Sequence, residues 1–365
     1  MFHSGIDVRN YGMQSNRNSQ TGEQLTRTNA MVNISEMKVN ETRNQILKAL
    51  RDSGDYVSGE TLSEQLGVSR VSIWKHIRSL KEDGYVIDTS ARGYRLASSP
   101  DLMLPYEFPG LEERIHYFSE IGSTMDAARK LARKGAKEGT IVIAEAQADG
   151  RGRLSREWLS PKGGIYFTII LRPRISPVYA PRINLMVSIT VAATIRKLFG
   201  IKAGLKWPND VLIEGRKVCG ILAEMNAEMD VVNFVNVGIG INANTSVPQF
   251  EKTAISLKDV LGREISRKEF LRELLREIEG WQPLLMKEDL LEEWKKLSMT
   301  LNRDVKVIAP GDVIVGRAID IDATGALIIR ESDGSLTKAM AGDCIHLREE
   351  APNADIRAVS PQHSV

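Results

Sequence analysis

Several residue types and patterns that mark familiar protein classes are scarce in this chain. It holds two cysteines, Cys219 and Cys344, in 365 residues. They stand far apart in apolar runs, which excludes a disulfide framework or a cysteine-rich metal site and predicts buried thiols in a reducing cytoplasm. The five histidines have no triad-like context, so a nucleophile–histidine hydrolase is not expected. No apolar run is read as reaching the roughly 18–20 residues of a membrane span. Residues 1–37 are polar, rich in Asn, Ser, Gln and Thr, and lack the apolar stretch of a signal peptide. They are expected to be a disordered tail or the result of a start placed upstream of Met31 or Met37. A charge imbalance is missing too: Lys+Arg 49 against Asp+Glu 47 gives a net +2. Any surface for nucleic acid must therefore be a local one.

What is present is an ordinary globular balance, 42% hydrophobic and 26% charged, in a chain long enough for two or three domains. Residues 38–98 read as three helices and a hairpin. Asn40 caps a helix carrying Ile46, Leu47 and Leu50 and ending near Gly54. Ser58 or Gly59 opens a second, stopped by Gly67. Ser69 caps a third, in which Ile73, Ile77 and Leu80 face one way while Arg70, Ser72, Lys75 and Arg78 take the opposite face. Asp83-Gly84 and Ala91-Arg-Gly93 bracket alternating strands. Helix, tight turn, basic helix and wing is the order of a winged helix-turn-helix, and Ser69, Arg70, Ser72, Lys75 and Arg78 are its candidate DNA contacts. A small bundle with a solvated basic face is the alternative.

Residues 99–110 read as a linker by composition. Residues 111–299 mix helices and strands, with a helix after Ser123, strands at 140–145 and 165–171, a long buried helix at 183–199, and strands at 211–213, 218–225 and 234–241. This is an α+β pattern with a mixed sheet. Residues 300–350 are short strands broken by Pro310-Gly311, Ala323-Thr-Gly325 and Asp333-Gly334, as in a small β-barrel. Residues 351–365 read as a tail.

Two segments carry chemistry. In Gln147–Tyr166, glycines at 150, 152, 163 and 164 permit close backbone approach to an anion. Arg151, Arg153 and Arg156 add charge, and Trp158 adds a flat apolar surface. A mobile segment closing over an anionic purine ligand needs these types; a basic surface loop with a packed tryptophan is the plainer reading. In Lys206-Trp-Pro-Asn-Asp210, proline forces extended geometry on its neighbour. A lysine at the edge of a buried sheet is then costly unless it meets an anion, a ligand or a structural carboxylate. Lys217 and Cys219-Gly220 follow. In Gly238-Ile-Gly240-Ile-Asn242 the glycines serve either strand packing or ligand contact.

The string GRGRxxxxWxSPxGGxY together with KWPND resembles the active site of the biotin–protein ligases. With the winged helix and the terminal barrel, the order of parts from Asn40 to Arg348 is similar to the bifunctional biotin–[acetyl-CoA carboxylase] ligase/biotin repressor family. Leu154 stands where that family commonly has a basic residue. The resemblance implies a winged helix, a mixed-sheet catalytic domain and an SH3-like barrel. It implies Ser123, Thr124, Met125 and Gln147 around biotin, with Arg151, Gly152 and Arg153 over the biotin–phosphate junction. Lys206 would meet the carboxylate and α-phosphate, so that Lys206 and Arg153 are the catalytic pair. Trp158, Asn209 and Lys217 would meet the nucleotide. Biotin, ATP with Mg²⁺ as counter-ion, a biotin carboxyl carrier protein and palindromic operator DNA are the implied partners, with a ligand-promoted homodimer, a cytoplasmic setting and no metal site or prosthetic group of its own. A biotin-sensing DNA-binding regulator with a weak or inactive ligase domain is the alternative, and a lipoate ligase a more distant one.

Overall fold

In the computed structural model, which describes residues 40–246, 253–309 and 311–347, the chain starts where its capping chemistry dictates. The Asn40 side chain accepts from the Arg43 amide and opens α1 (Glu41–Ser53), which Gly54 ends in the left-handed conformation. Ser58 and Ser69 cap α2 (Gly59–Leu66) and α3 (Arg70–Glu82) in the same way. Ile46, Leu47, Leu62, Ile73 and Leu80 are fully buried between the three helices. The wing follows as β1 (Val86–Ser90) and β2 (Gly93–Ser98), paired antiparallel. The expected tails, 1–37 and 351–365, lie outside the described residues.

Residues 99–110, expected as a linker, are packed. Met103, Leu104, Tyr106 and Phe108 are at most 2% exposed. The Glu107 carboxylate, 3% exposed, holds this connector between the winged helix and the rest of the chain. It accepts from Arg51 of α1 at 2.6 Å and from the Tyr85 hydroxyl at 2.6 Å, and meets Lys268 at 3.3 Å. Burial, then Glu107 itself, pushes the Tyr85 phenol far above its usual range, so it stays a donor. The Ser, Pro and Gly residues that suggested a linker flank an apolar stretch, Leu102 to Phe108, and it is this stretch that packs.

The central part runs β3 (Ile115–Phe118), α4 (Thr124–Arg133), β4 (Ile141–Ala144), β5 (Ile165–Leu171), α5 (Pro181–Phe199), β6 (Gly204–Lys206), β7 (Asp210–Ile213), β8 (Arg216–Glu228), β9 (Val231–Ile241), α6 (Leu257–Leu261), α7 (Arg267–Trp281) and α8 (Glu288–Leu297). Its sheet is ordered β3-β4-β5-β9-β8-β7-β6, parallel between β3 and β4 and antiparallel elsewhere. Alternation sends Val142 and Ile170 toward α4, with Ala128 and Ala132, while Ile141, Ile143, Ile169 and Leu171 join the larger core that includes α5 and α7. With both faces covered, β4 reads as an unbroken apolar run and β5 as one interrupted by Thr168.

One expectation needs correction. Residues Pro177–Phe199 are long and apolar enough to cross a membrane by length and composition, although no such run was read from the sequence. Most of that segment is buried within this protein. Its hydroxyls, Ser188, Thr190 and Thr194, bond to carbonyls of their own helix, which lets polar residues enter the core. Both cysteines are buried and free, and burial pushes the Cys344 thiol up to about 12.

The C-terminal part comprises β10 (Asp304–Ala309), β11 (Asp312–Ile321), β12 (Leu327–Arg330), β13 (Leu336–Ala339) and β14 (Asp343–His346). They form an antiparallel sheet ordered β13-β12-β11-β10-β14. No ladder joins β13 to β14 among the described residues, so the small barrel is open along that seam. Trp207, 2% exposed, locks this sheet to the central one. Its amide donates to Thr300 Oγ1 at 3.0 Å and its indole to the Gly325 carbonyl at 3.1 Å.

Replacing Glu107 with alanine leaves Arg51, Lys268 and the Tyr85 hydroxyl without their shared acceptor. The expected cost is about 3 kcal/mol, the lower end for a broken buried pair because Arg51 keeps part of its hydration. Denaturant unfolding followed at the winged helix checks it; a change under about 0.5 kcal/mol, the range of an inconsequential surface substitution, would contradict the hub.

Candidate functional site

The segment between β4 and β5 leaves the sheet and returns over it. Gln147 N–H donates to Ser160 O at 3.0 Å and Trp158 N–H to Gly150 O at 2.8 Å, and Gly152 N–H closes the tip on Arg156 O at 2.8 Å. Leu154 and Ser155 turn the tip with φ of 54° and 59°, a conformation uncommon for side-chain-bearing residues. Gly150 is required because a Cβ there would strike the Trp158 carbonyl and the Ser160 hydroxyl.

Trp158 seats this segment on the sheet. Its indole lies against Gly240 of β9 and Gly220 of β8, where a Cβ on either would collide with the ring. Lys217 Nζ sits 5.2 Å from the ring centroid and 2.7 Å from an Asp210 oxygen. The indole Nε1 is buried without a partner. Gly238 likewise admits Met125, whose sulfur a Cβ would meet at 2.7 Å. The Gly238-Ile-Gly240 glycines thus make room for side chains that themselves line a cavity.

That cavity encloses about 130 Å³. Its wall includes Thr124, Met125, Gln147, Arg151, Gly152, Arg153, Trp158, Asn209 and Lys217, so the structure brings together all but two of the residues singled out for the ligase-like site. At its apolar end Gln147 Oε1 accepts from the Thr124 amide and hydroxyl at 2.9 and 3.0 Å, and its amide donates to Ser160 at 2.9 Å. Thr168 extends the chain by donating to Thr124 at 2.9 Å. At the other end Arg153 donates to Asn209 Oδ1 at 3.1 Å, and Asn209 Nδ2 donates to the Ile221 carbonyl at 2.8 Å. Burial lowers the Arg153 pKa, with Asp210 and Asp343 opposing that effect. A desolvated guanidinium of this kind is a ready receptor for an anion.

Ser123 and Lys206 stand off the wall. Ser123, 4% exposed, keeps its hydroxyl buried and unpartnered beside Thr124. Lys206 ends the edge strand β6 before the cis Trp207–Pro208 bond. Its ammonium makes no hydrogen bond or ion pair among the described residues, so the structural-carboxylate alternative is not realised. It instead acts at longer range on Asp343, Cys344 and His346 of β14. Arg151 is held by Asp126 at 2.5 Å and lies 3.9 Å from Glu224.

Sequence reasoning missed Asp343. It lines the cavity and binds Arg156 of the tip at 2.6 Å. Arg156 first, then Lys206 and Arg153, hold its carboxyl below the usual range against the opposing effect of burial. No local signal marks an aspartate 187 residues from its partner. The glycines 220, 238 and 240 did have a signal, their spacing on adjacent strands.

On the winged helix, Arg70, Lys75 and Arg78 are exposed, as is Ser69, whereas Ser72 is half-buried and its amide is taken by the Ser69 cap at 3.2 Å. Arg78 shares its charge with Glu82 at 3.1 Å. Val71 and Trp74, passed over in the sequence, are 64% and 52% exposed.

Asp343→Asn removes the ion pair between β14 and the loop tip. A partly exposed pair is worth about 0.5–1 kcal/mol, so hydrogen-exchange protection of the Gly152 amide should fall about two- to fivefold. The Gln147 amide is the control; unchanged protection at Gly152 would show that the tip is held by other contacts.

Comparison with known proteins accords with this arrangement. The biotin/lipoate A/B protein ligase family matches residues 117–242, an HTH domain family residues 42–95, and the biotin protein ligase C-terminal domain family residues 300–347. The bifunctional ligase/repressor BirA of Bacillus subtilis is 33% identical over 314 residues, 80% of this chain and 95% of that protein. BirA of Escherichia coli is 34% identical over 313 residues, 81% of this chain and 95% of that one. Among solved structures, biotin protein ligase from Aquifex aeolicus in complex with biotin and ATP has a TM-score of 0.56 at 28% identity, covering 64% of this chain and 99% of that one. With a winged helix, a loop-covered mixed sheet and a terminal β-domain in that order, the chain belongs to the family of bifunctional biotin ligase/repressors.

Proposed function

We propose that the chain attaches biotin to a lysine of a biotin carboxyl carrier protein through biotinoyl-5′-AMP, and that its winged helix represses biotin genes when that intermediate is bound. The observation that carries the reading is the single cavity shared by two motifs distant in sequence, Gln147–Trp158 and Asn209–Lys217. In this reading residues 38–98 are the DNA-binding domain, 111–299 the catalytic domain and 300–350 the small barrel, and the setting is cytoplasmic.

The chemistry follows from charge. In the first step a biotin carboxylate oxygen bonds to the α-phosphorus of ATP as the bond to pyrophosphate breaks and pyrophosphate leaves with the electron pair, and this approach runs against like-charge repulsion. One cation about 4 Å away offsets on the order of 4 kcal/mol at an effective dielectric of 20, before desolvation is subtracted. Lys206, Arg153 and Lys217 supply such cations, and Lys206 is the one whose ammonium is not already committed. Mg²⁺ would arrive with the nucleotide and neutralise phosphate charge, and the hard carboxylate oxygens suited to it would be those of Glu157, Asp210 and Asp343 on the cavity wall. Ser123, Thr124, Met125 and Gln147 form the biotin end; the free Ser123 hydroxyl and the Thr124–Gln147 cluster suit a flat ureido ring that both donates and accepts. Arg151 and Gly152 cover the junction, and Trp158, Asn209 and Lys217 the nucleotide. In the second step the carrier's neutral lysine attacks the acyl carbon, the C–N bond forms as the C–O bond to phosphate breaks, AMP leaves with the electron pair, and the surplus amine proton passes to solvent. The closed tip at Gly152–Arg156 keeps water from the mixed anhydride between steps.

Repression requires more phosphate contacts than one winged helix offers. Two copies related by a two-fold axis would double them on a palindromic operator. Ordering of the 150–156 loop by ligand is the proposed trigger for dimerisation.

Lys206→Ala should lower adenylate formation about 10²–10³-fold, the usual effect of removing one preorganised electrostatic group; near-normal pyrophosphate release would remove Lys206 from the chemistry. Arg70→Ala should weaken binding to any duplex and lower the salt slope by about one per lost phosphate contact, with carrier biotinylation unchanged. An unaltered slope in gel shifts across a salt series would show that Arg70 faces something other than DNA.

A further inference from the structure

The outer face of α3 carries more than charge. Ile73, Ile77 and Leu80 are at most 2% exposed, while Val71 and Trp74, one helical turn apart, are 64% and 52% exposed. Arg70, Lys75 and Arg78 flank them in solvent. The Arg78 guanidinium lies 5.9 Å from the Trp74 ring centroid and is tied by its Nε to Glu82 at 3.1 Å. The result is a rigid apolar ridge inside a cationic rim.

We infer that Val71 and Trp74 are the residues with which this chain reads base sequence, by apolar contact with thymine C5-methyl groups in the major groove. The inference rests on the winged helix binding DNA. The rim selects a polyanion over an ordinary protein surface, since α3 has a single acid, Glu82, at its far end. Within a duplex the base faces are stacked away, so a side chain in the major groove meets only base edges. There the thymine methyl is the one apolar feature, and the cations flanking the ridge are placed for phosphates that fix register without reading sequence. Leaving a tryptophan half in water is unfavourable for the free protein, and the groove removes that exposure.

The test uses the full-length protein with biotin and ATP. A preferred duplex is first selected from a randomised pool, and its thymines are then replaced one at a time by deoxyuridine, which removes only the methyl. At one or two positions per half-site, wild-type affinity should fall about fourfold, the effect of one buried methyl group. Trp74→Ala should bind the thymine and uracil duplexes at those positions equally. It should keep the wild-type salt slope, affinity for random duplex and carrier biotinylation. Val71→Ala should show the same loss of discrimination at a neighbouring position. Uracil substitution that is harmless to wild type everywhere overturns the inference and leaves DNA binding intact. So does a Trp74→Ala variant that loses the same factor as wild type on uracil replacement, or that changes sedimentation while binding DNA normally. Failure of the pool to yield any preferred sequence would overturn the DNA-reading role itself.

Discussion

The seating of Trp158 on two glycines is the contact on which the site depends. A long loop costs conformational entropy to order, and this one returns to the sheet because the indole finds bare backbone at Gly220 and Gly240. That contact sets the height of the loop above β8 and β9. It places Lys217 over the ring and leaves Arg153 within reach of Asn209. A methyl group on either glycine would push the indole off, and the cavity wall would come apart with it. Small residues here are a packing requirement that happens to build a binding surface.

The tip of the same loop answers to a different part of the chain. Arg156 reaches β14 of the small sheet through Asp343, and Trp207 ties that sheet to the central one. The terminal domain therefore borders the cavity rather than hanging from it. Lys206 ends β6 of the central sheet, and its charge acts on Asp343 of the small one. Arg151, Arg156 and Lys217 are each paired with a carboxylate, whereas Arg153 is bonded to the neutral Asn209 and Lys206 to no charged group among the described residues, so an anion reaching these two would break no ion pair.

At the other end, the buried Glu107 joins the winged helix to α7 through the connector. A carboxylate with three partners at 3% exposure tolerates little reorientation, because moving it would leave a buried charge and the Tyr85 hydroxyl short of partners. Arg272 of α7 adds a bond to the Glu107 carbonyl at 2.6 Å. Two functions in one polypeptide are thus mechanically continuous: the angle at which α3 is presented is fixed against the body that carries the cavity.

Local rules read most of the secondary structure directly. Asn40, Ser58 and Ser69 cap their helices because a short polar side chain before an apolar period has one favourable use, and β5 was legible to the residue, Ile165–Leu171, because a run of β-branched and aromatic residues between glycines and arginine admits few alternatives. The motif strings, through their resemblance to the biotin–protein ligases, named residues of two distant segments that line one cavity, although Lys206 of KWPND stands off its wall. Tertiary structure decided what depends on partners far along the chain. It made the connector around Glu107 a buried hub. It brought Asp343 to Arg156, and left Val71 and Trp74 in water on a helix whose Ile73, Ile77 and Leu80 are buried. Periodicity tells which residues share a face. Only the packed chain tells which face is covered, because burial and ion pairing are relations between segments that no single segment contains.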